Sequence, residues 1–426
     1  MPEEILPAGV TARVSAIGPV DIVVGIPSYN NAGTIGHVVR AVHAGLVKYF
    51  PDRPALLVNS DGGSRDGTCE EVERAGLDPH ALLLVHHNLY PVHRLTTPYH
   101  GLPGKGSAFR TIFRIAEIVQ AQACAVVDAD LRSITPEWVD LLLRPVLDRG
   151  FDYVAPFYKR HKYDGTITNS IVYPLTRALY GWRVRQPIGG EFGFSGRLAH
   201  HFRSRDVWTT DVARYGIDIW MTTTALAEKL RVCQVYLGAK LHDAKDPGAD
   251  LSAMLAQVVG SVFGLMETYA GVWRSVRSSR PTPLFGFPFE VGLEPVPINV
   301  ARMLAAFRQG CRDLRPIYER VISPAPFAEL YAQAEAADER FVLPDEVWAT
   351  LIYDFALAYH RRLLDREHLL KSLTPLYLGW VASFARQTEQ ESAPQVEERI
   401  ERLCLVFEQL KPYLISQWLV GSQEKR

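Results

Sequence analysis

The chain has 426 residues, 47% of them hydrophobic and 22% charged, a globular composition long enough for two or three domains. Its formal net charge of −1 excludes a surface that binds polyanions through bulk charge, so neither nucleic acid nor an anionic membrane is an expected partner. The opening MPEEILPAGV has no basic region before an apolar core, so no signal peptide is read there, and the apolar run 251–266 is interrupted by Gln257 and too short to span a bilayer. Five scattered cysteines (Cys69, Cys124, Cys233, Cys311, Cys404) have no zinc-knuckle spacing and read as reduced thiols of a cytoplasmic protein.

Residues 1–20 form an N-terminal extension. Then DIVVGIP (21–27) predicts a buried strand, and 32–50 a helix with Ile35, Val38, Val39, Val42 and Leu46 on one face. ALLVNSD (55–61) predicts a second strand, followed by a helix from Asp66 to Ala75, and ALLLVHH (81–87) a third strand. A helix over 105–122 leads into a fourth strand, CAVVDAD (124–130). This alternation implies an α/β fold with a mostly parallel, Rossmann-like sheet whose ligands sit beyond the carboxyl ends of the strands. From 132 to 250 the alternation loosens, with strands at 152–158 and 232–241. After 250 the pattern is amphipathic helices, punctuated by the Pro/Gly-rich loop 280–297. The expected organisation is 21–131 and 132–250 as two halves of one sheet region, with a helical C-terminal extension over 251–426.

Five stretches carry polar chemistry. NSDGGSRDGT (59–68) places Asp61 after a strand, where it can accept from a base or ribose, with Asp66 as a helix cap; an ordinary strand–turn–helix connection explains it equally well. PGKGSAFR (103–110) sets Lys105 at a helix start, a place that favours anions, although the spacing is not that of a P-loop. A flexible surface loop is the competing explanation. DAD (128–130) offers two carboxylates for Mg²⁺ or Mn²⁺, which commonly take one or two carboxylates plus substrate phosphates. RQPIGGEFGFSG (185–196) reads as a tight Gly189-Gly190 turn followed by Glu191, with aromatics placed to close over a sugar. In KLHD (240–243), His242 taken alone is an ordinary polar histidine.

Taken in order, these segments resemble nucleotide-sugar glycosyltransferases of A-type fold. The first half resembles the family 2 pattern. The second half resembles the glucosyl-3-phosphoglycerate synthase and mannosyl-3-phosphoglycerate synthase family through GKG (104–106), DAD (128–130), QPIGGEF (186–192), YGID (215–218) and KLHD (240–243). The resemblance covers about residues 20–250. It implies that Pro27, Tyr29 and Asp61 cradle the nucleotide, with Asn31 at the ribose position where the family 2 pattern often has Glu. It implies that Lys105 faces the phosphates, that Asp130 and His242 bind the metal, and that Asp128 lies beside the ribose or the metal. Ile188, through its backbone, and Asp218 sit near the transferred sugar and acceptor, with Gly189, Gly190 and Tyr215 around them. Gly165, Thr166 and Thr168 match the phosphoglycerate loop, where an arginine normally occupies the place of Thr166. Its absence leaves glycerate and 3-phosphoglycerate both open.

The expectation is therefore a Mg²⁺- or Mn²⁺-dependent retaining hexosyltransferase. It would move glucose or mannose from a UDP- or GDP-sugar to a small hydroxy acid, giving a compatible solute or its precursor. Glu191 is followed by Phe192 instead of the acidic pair of inverting members, which favours retention; an inverting enzyme acting on a glycan or lipid is the alternative. The C-terminal helices serve either as a homodimer face or as a cover for the sheet, and the sequence leaves both open.

Overall fold

The computed structural model describes residues 5–75, 92–98, 104–242, 252–288 and 292–423. Among the described residues there are ten strands: β1 (Ile22–Ser28), β2 (Ala55–Asp61), β3 (Val92–Pro98), β4 (Ala123–Val126), β5 (Tyr153–Lys159), β6 (Trp182–Arg183), β7 (Phe192–Ser195), β8 (Val232–Ala239), β9 (Arg280–Pro281) and β10 (Leu284–Phe285). Eight of them form one sheet in the order β10-β8-β5-β7-β4-β1-β2-β3. All neighbours pair in parallel except β7, which runs antiparallel to both β4 and β5. The expected mostly parallel α/β sheet is present.

The chain divides into two compact units. The first, Met1–Lys159 with Arg185–Asp243 and Thr282–Leu293, holds the eight-stranded sheet. Strands β1 and β2 are buried at every residue, as continuous apolar runs covered on both faces must be. Helix Lys105–Ile118 lies so close to β1 that a Cβ on Gly25 would stand 2.5 Å from Ile112 Cδ1. Helices Ile35–Tyr49 and Pro136–Arg149 contribute Val38, Val42, Leu142 and Val146 to the core with Val24, Ile26 and Leu57.

Several sequence expectations shift. The predicted strand 81–87 falls outside the described residues, and the strand beside β2 is Val92–Pro98, whose polar VHRLTTP does not advertise a strand. Strand β4 stops at Val126, four residues short of the expected end, so Asp128 and Asp130 stand in the turn beyond it. The aromatics of EFGFSG do not close over a ligand site: Phe192 and Phe194 are fully buried in β7, within the sheet.

The second unit comprises Arg160–Val184, Ala244–Pro281 and Glu294–Arg426. It is helical, with a β6–β9 pair, and long helices at Ser252–Thr268, Asp345–Arg361, Arg366–Thr388 and Ala393–Gln423. Arg177 is buried inside it, bonded to Glu401 and Glu408, and Lys411 donates to the carbonyls of Ala178 and Val276. No helix among the described residues is long and apolar enough to cross a membrane.

Candidate active site

The sheet gathers its polar groups at one edge. Parallel strands β1, β2, β4 and β8 end there, and β7, being antiparallel, begins there, so Glu191 and the Gly189-Gly190 turn face the residues that follow β4 and β8. Extending the β4–β7 register, in which Val126 opposes Phe192, sets Asp128 opposite Gly190. A Cβ on Gly190 would lie 2.1 Å from Asp128 Oδ2, and this residue has φ +98°, so only glycine fits.

The glycines around Lys105 serve close packing. A Cβ on Gly104 would meet the Ala213 carbonyl oxygen at 2.6 Å, and one on Gly106 the Val212 carbonyl oxygen at 1.9 Å. Gly106 N–H donates to the Arg214 carbonyl at 3.2 Å. That contact delivers Lys105 to Asp218, which lies in the first turn of helix Ile217–Ala227.

The result is a chain of alternating charges. Lys105 Nζ is 3.2 Å from Asp218 Oδ2 and 2.8 Å from Asp128 Oδ1. Lys240 Nζ is 2.9 Å from Asp128 Oδ2, 2.7 Å from Glu191 Oε1 and 2.8 Å from the Gly189 carbonyl oxygen. Tyr158 donates its hydroxyl to that same carbonyl. Three carboxyl groups thus share two ammonium groups, and Glu191 Oε2 and Asp218 Oδ1 are buried without a hydrogen-bond partner. Burial works against ionisation of Asp128, but the two lysines override it and hold its pKa far below the usual range. Burial dominates at Glu191 and raises it to about 7, even with Lys240 beside it. Asp218 is also raised, by burial and by Asp128 against the pull of Lys105. For Lys105, burial is outweighed by Asp128 and Asp218, so it stays firmly protonated.

Both oxygens of Asp128 bond lysines, and Lys105 bonds the carboxylates of Asp128 and Asp218.

The loops after β1 and β2 are zipped together. Asn30 N–H donates to Ser64 Oγ (2.8 Å), Asn31 N–H to Thr68 Oγ1 (2.8 Å), and Ala32 N–H to Asp66 Oδ2 (3.0 Å). Asp61 accepts from Gly63 N–H, Ser64 N–H, Ser64 Oγ and Ser28 Oγ. Burial raises its pKa, these bonds outweigh that effect, and the net shift is downward. Asn31 Oδ1 accepts from Tyr29 N–H. Pro27 is buried in β1, and the Tyr29 ring is 62% exposed. Asp66 accepts from Thr68 N–H at the start of its helix, as a cap does.

Asp130 and His242 lie on two segments that are stitched together. Arg132 N–H donates to the Leu241 carbonyl (2.8 Å), Leu241 N–H to Ser133 Oγ (2.9 Å), and Arg132 Nη2 to the His242 carbonyl (3.2 Å). Among the described residues no group of three or more His, Cys, Asp or Glu is arranged to hold a metal, so the trio Asp128, Asp130 and His242 is not assembled as such. Ile188 is half-buried, and Tyr215 is 45% exposed just before the helix that carries Asp218. Gly165, Thr166 and Thr168 belong to the second unit, where the Thr166 hydroxyl is bonded to Tyr377 and Thr168 opens a buried π-helical turn. Sequence reasoning missed Lys240, the hub of the network. Its signal was a lysine ending the apolar strand VCQVYLGA, where a charge has to find partners.

Residues 93–263 match the family model described as "Mannosylglycerate synthase, GT domain". No curated protein is significantly similar in sequence. Among solved structures, glucosyl-3-phosphoglycerate synthase from Mycobacterium tuberculosis in complex with Mn²⁺, UDP-glucose and phosphoglyceric acid is 22% identical, with 62% of this chain and 85% of that chain covered and a TM-score of 0.44. The same enzyme in complex with Mn²⁺, UDP and glucosyl-3-phosphoglycerate gives 22% identity, coverage of 66% and 94%, and a TM-score of 0.44. The stretch bearing Lys105, Asp128, Glu191, Asp218 and Lys240 is thus the stretch that matches a glycosyltransferase domain of the mannosylglycerate synthase type.

Proposed function

We propose that the protein is a metal-dependent retaining hexosyltransferase that moves glucose or mannose from a nucleoside-diphosphate sugar to glycerate or 3-phosphoglycerate. The observation that carries this reading is that the matched segment, 93–263, contains the whole buried lysine–carboxylate chain at the carboxyl edge of the sheet. Asp130 and His242 are the residues to hold a divalent cation, because their segments are bonded together and two protein ligands suffice where diphosphate oxygens and water complete the shell. Such a cation would neutralise charge on the departing diphosphate. The chain's own groups supply the rest. Lys105 is held protonated between Asp128 and Asp218 at a helix start, the favoured place for the diphosphate. Asp218 Oδ1, buried and unbonded, is available to accept from a sugar or acceptor hydroxyl. Tyr29 offers an exposed ring for stacking on a base.

The acceptor hydroxyl would attack on the face from which the diphosphate leaves, its proton passing to the leaving diphosphate. The test is a screen of purified full chain against UDP- and GDP-glucose and -mannose, each with glycerate and with 3-phosphoglycerate, in Mg²⁺ or Mn²⁺. An α-linked product from an α-linked donor, read by NMR, is the expected result. A β-linked product would sink the retaining assignment, and no transfer to either acid would sink the acceptor class.

A further inference from the structure

The family match and the motifs give the buried Lys240 no task. Lys240 is 5% exposed at its side chain, has three N–H donors, and meets three acceptors from two segments: Asp128 after β4, and the Gly189 carbonyl and Glu191 before β7. Its own backbone N–H donates to the Lys159 carbonyl, and Tyr158 both shares the Gly189 carbonyl and presents its ring 5.6 Å from the Lys240 ammonium. With its donors so committed and its head group enclosed, Lys240 is neither a nucleophile nor a surface contact for a diphosphate. The turn fits around it: a Cβ on Gly190 would come within 2.9 Å of Lys240 Nζ as well as striking Asp128.

We propose that Lys240 is a positioning residue, with Glu191 as its buried hydrogen-bond partner, that locks the Asp128 carboxylate and the 188–191 turn in one geometry and so ties the donor side of the centre to its acceptor side. The proposal rests on the transferase reading above, in which Asp128 stands by the donor and Ile188 by the transferred sugar. Lys240 acts through Asp128 and the turn and touches no reacting atom.

A double-mutant cycle tests it, using Lys240→Met, Glu191→Gln and the combination in the full chain, each checked for folding by thermal melting. Loss of positioning lowers kcat by about 10²-fold in Lys240→Met, because small displacements at a reacting centre carry penalties of that order. Donor KM stays within about threefold, because Lys105 and the Tyr29 loop are untouched. Glu191→Gln, nearly isosteric, lowers kcat by about tenfold, and the double variant is no worse than Lys240→Met alone, the non-additivity of two groups acting as one. If both folded single variants keep kcat within about twofold of wild type, or if their losses multiply independently, the positioning role is wrong. A Lys240→Met chain that fails to fold leaves Glu191→Gln to decide by the same kcat criterion. If the wild type transfers nothing, the transferase reading falls, and a crystal structure of Glu191→Gln judges the lock alone: an unmoved 188–191 turn and Asp128 would overturn it.

Discussion

The two units each bury an ion network, and the networks differ in kind. In the helical unit Arg177, 1% exposed, is met by Glu401 and Glu408, whose side chains are 38% and 19% exposed, with Tyr173 and Ser279 completing the bonds. None of the Arg177, Glu401 or Glu408 side-chain atoms is buried without a partner. In the sheet unit, three carboxyl groups crowd two lysines, and two carboxylate oxygens are left unbonded. A satisfied network with outward-facing partners tightens a fold. One with surplus buried carboxyl groups costs stability and suits a centre that gains a ligand.

Four perturbations sharpen or break that contrast. The largest effect belongs to Asp130→Ala: metal-assisted transfer falls by about 10³-fold or more, since the charge stabilisation lost is worth several kcal/mol. Turnover that survives this substitution would detach the sheet-edge centre from metal chemistry. Next is Gly190→Ala, which forces a Cβ to 2.1 Å from an Asp128 oxygen that two lysines hold in place, at φ +98°. Stability drops by about 3 kcal/mol in urea denaturation, with activity falling alongside. A neutral outcome would mean the turn and Asp128 are free to part.

Arg177→Leu is the control from the helical unit. It lowers stability by about 2 kcal/mol, less than for a fully enclosed pair because its glutamates reach solvent, while kcat of the folded protein is unchanged. A large drop in kcat would erase the distinction between the networks.

The smallest effect is a pH slope. Glu191 is raised from 4.5 to about 7, so the folded state holds a proton that the unfolded chain has lost. Its stabilising contribution is complete below about pH 4.5 and disappears as pH rises through about 7. Relative to Glu191→Gln, the wild type loses about 2 kcal/mol between pH 5 and pH 8. Parallel stability curves for the two proteins would show that Glu191 titrates normally.

How much of this was legible in the sequence depended on the kind of signal. Apolar runs such as IVVGIPS and ALLVNSD report burial directly, and both strands lie within a residue of their expected bounds. Strand β7 was hidden because FGFS is short, glycine-broken and reversed in direction, and its aromatics suit a ligand cover as well as a core. Strand β3 was hidden because VHRLTTP carries polar residues and, among the described residues, pairs on one side alone at the end of the sheet. The site motifs fall at one edge of the sheet, but they do not say who bonds whom. GKG reads as a helix start that favours anions, with a flexible loop as the competing explanation; neither reading shows that its glycines admit the 212–214 backbone. Nor did the sequence show the four local donors to Asp61. Partner choice depends on long-range register, such as Asp128 opposite Gly190, and no local pattern encodes it.

The most direct test of the whole account is acceptor-dependent release of nucleoside diphosphate by the purified chain, measured across a Mg²⁺ titration with a nucleoside-diphosphate hexose and 3-phosphoglycerate or glycerate. The account predicts release that needs both acceptor and cation and that disappears on chelation. Release independent of cation, or none with any hexose donor, would contradict it.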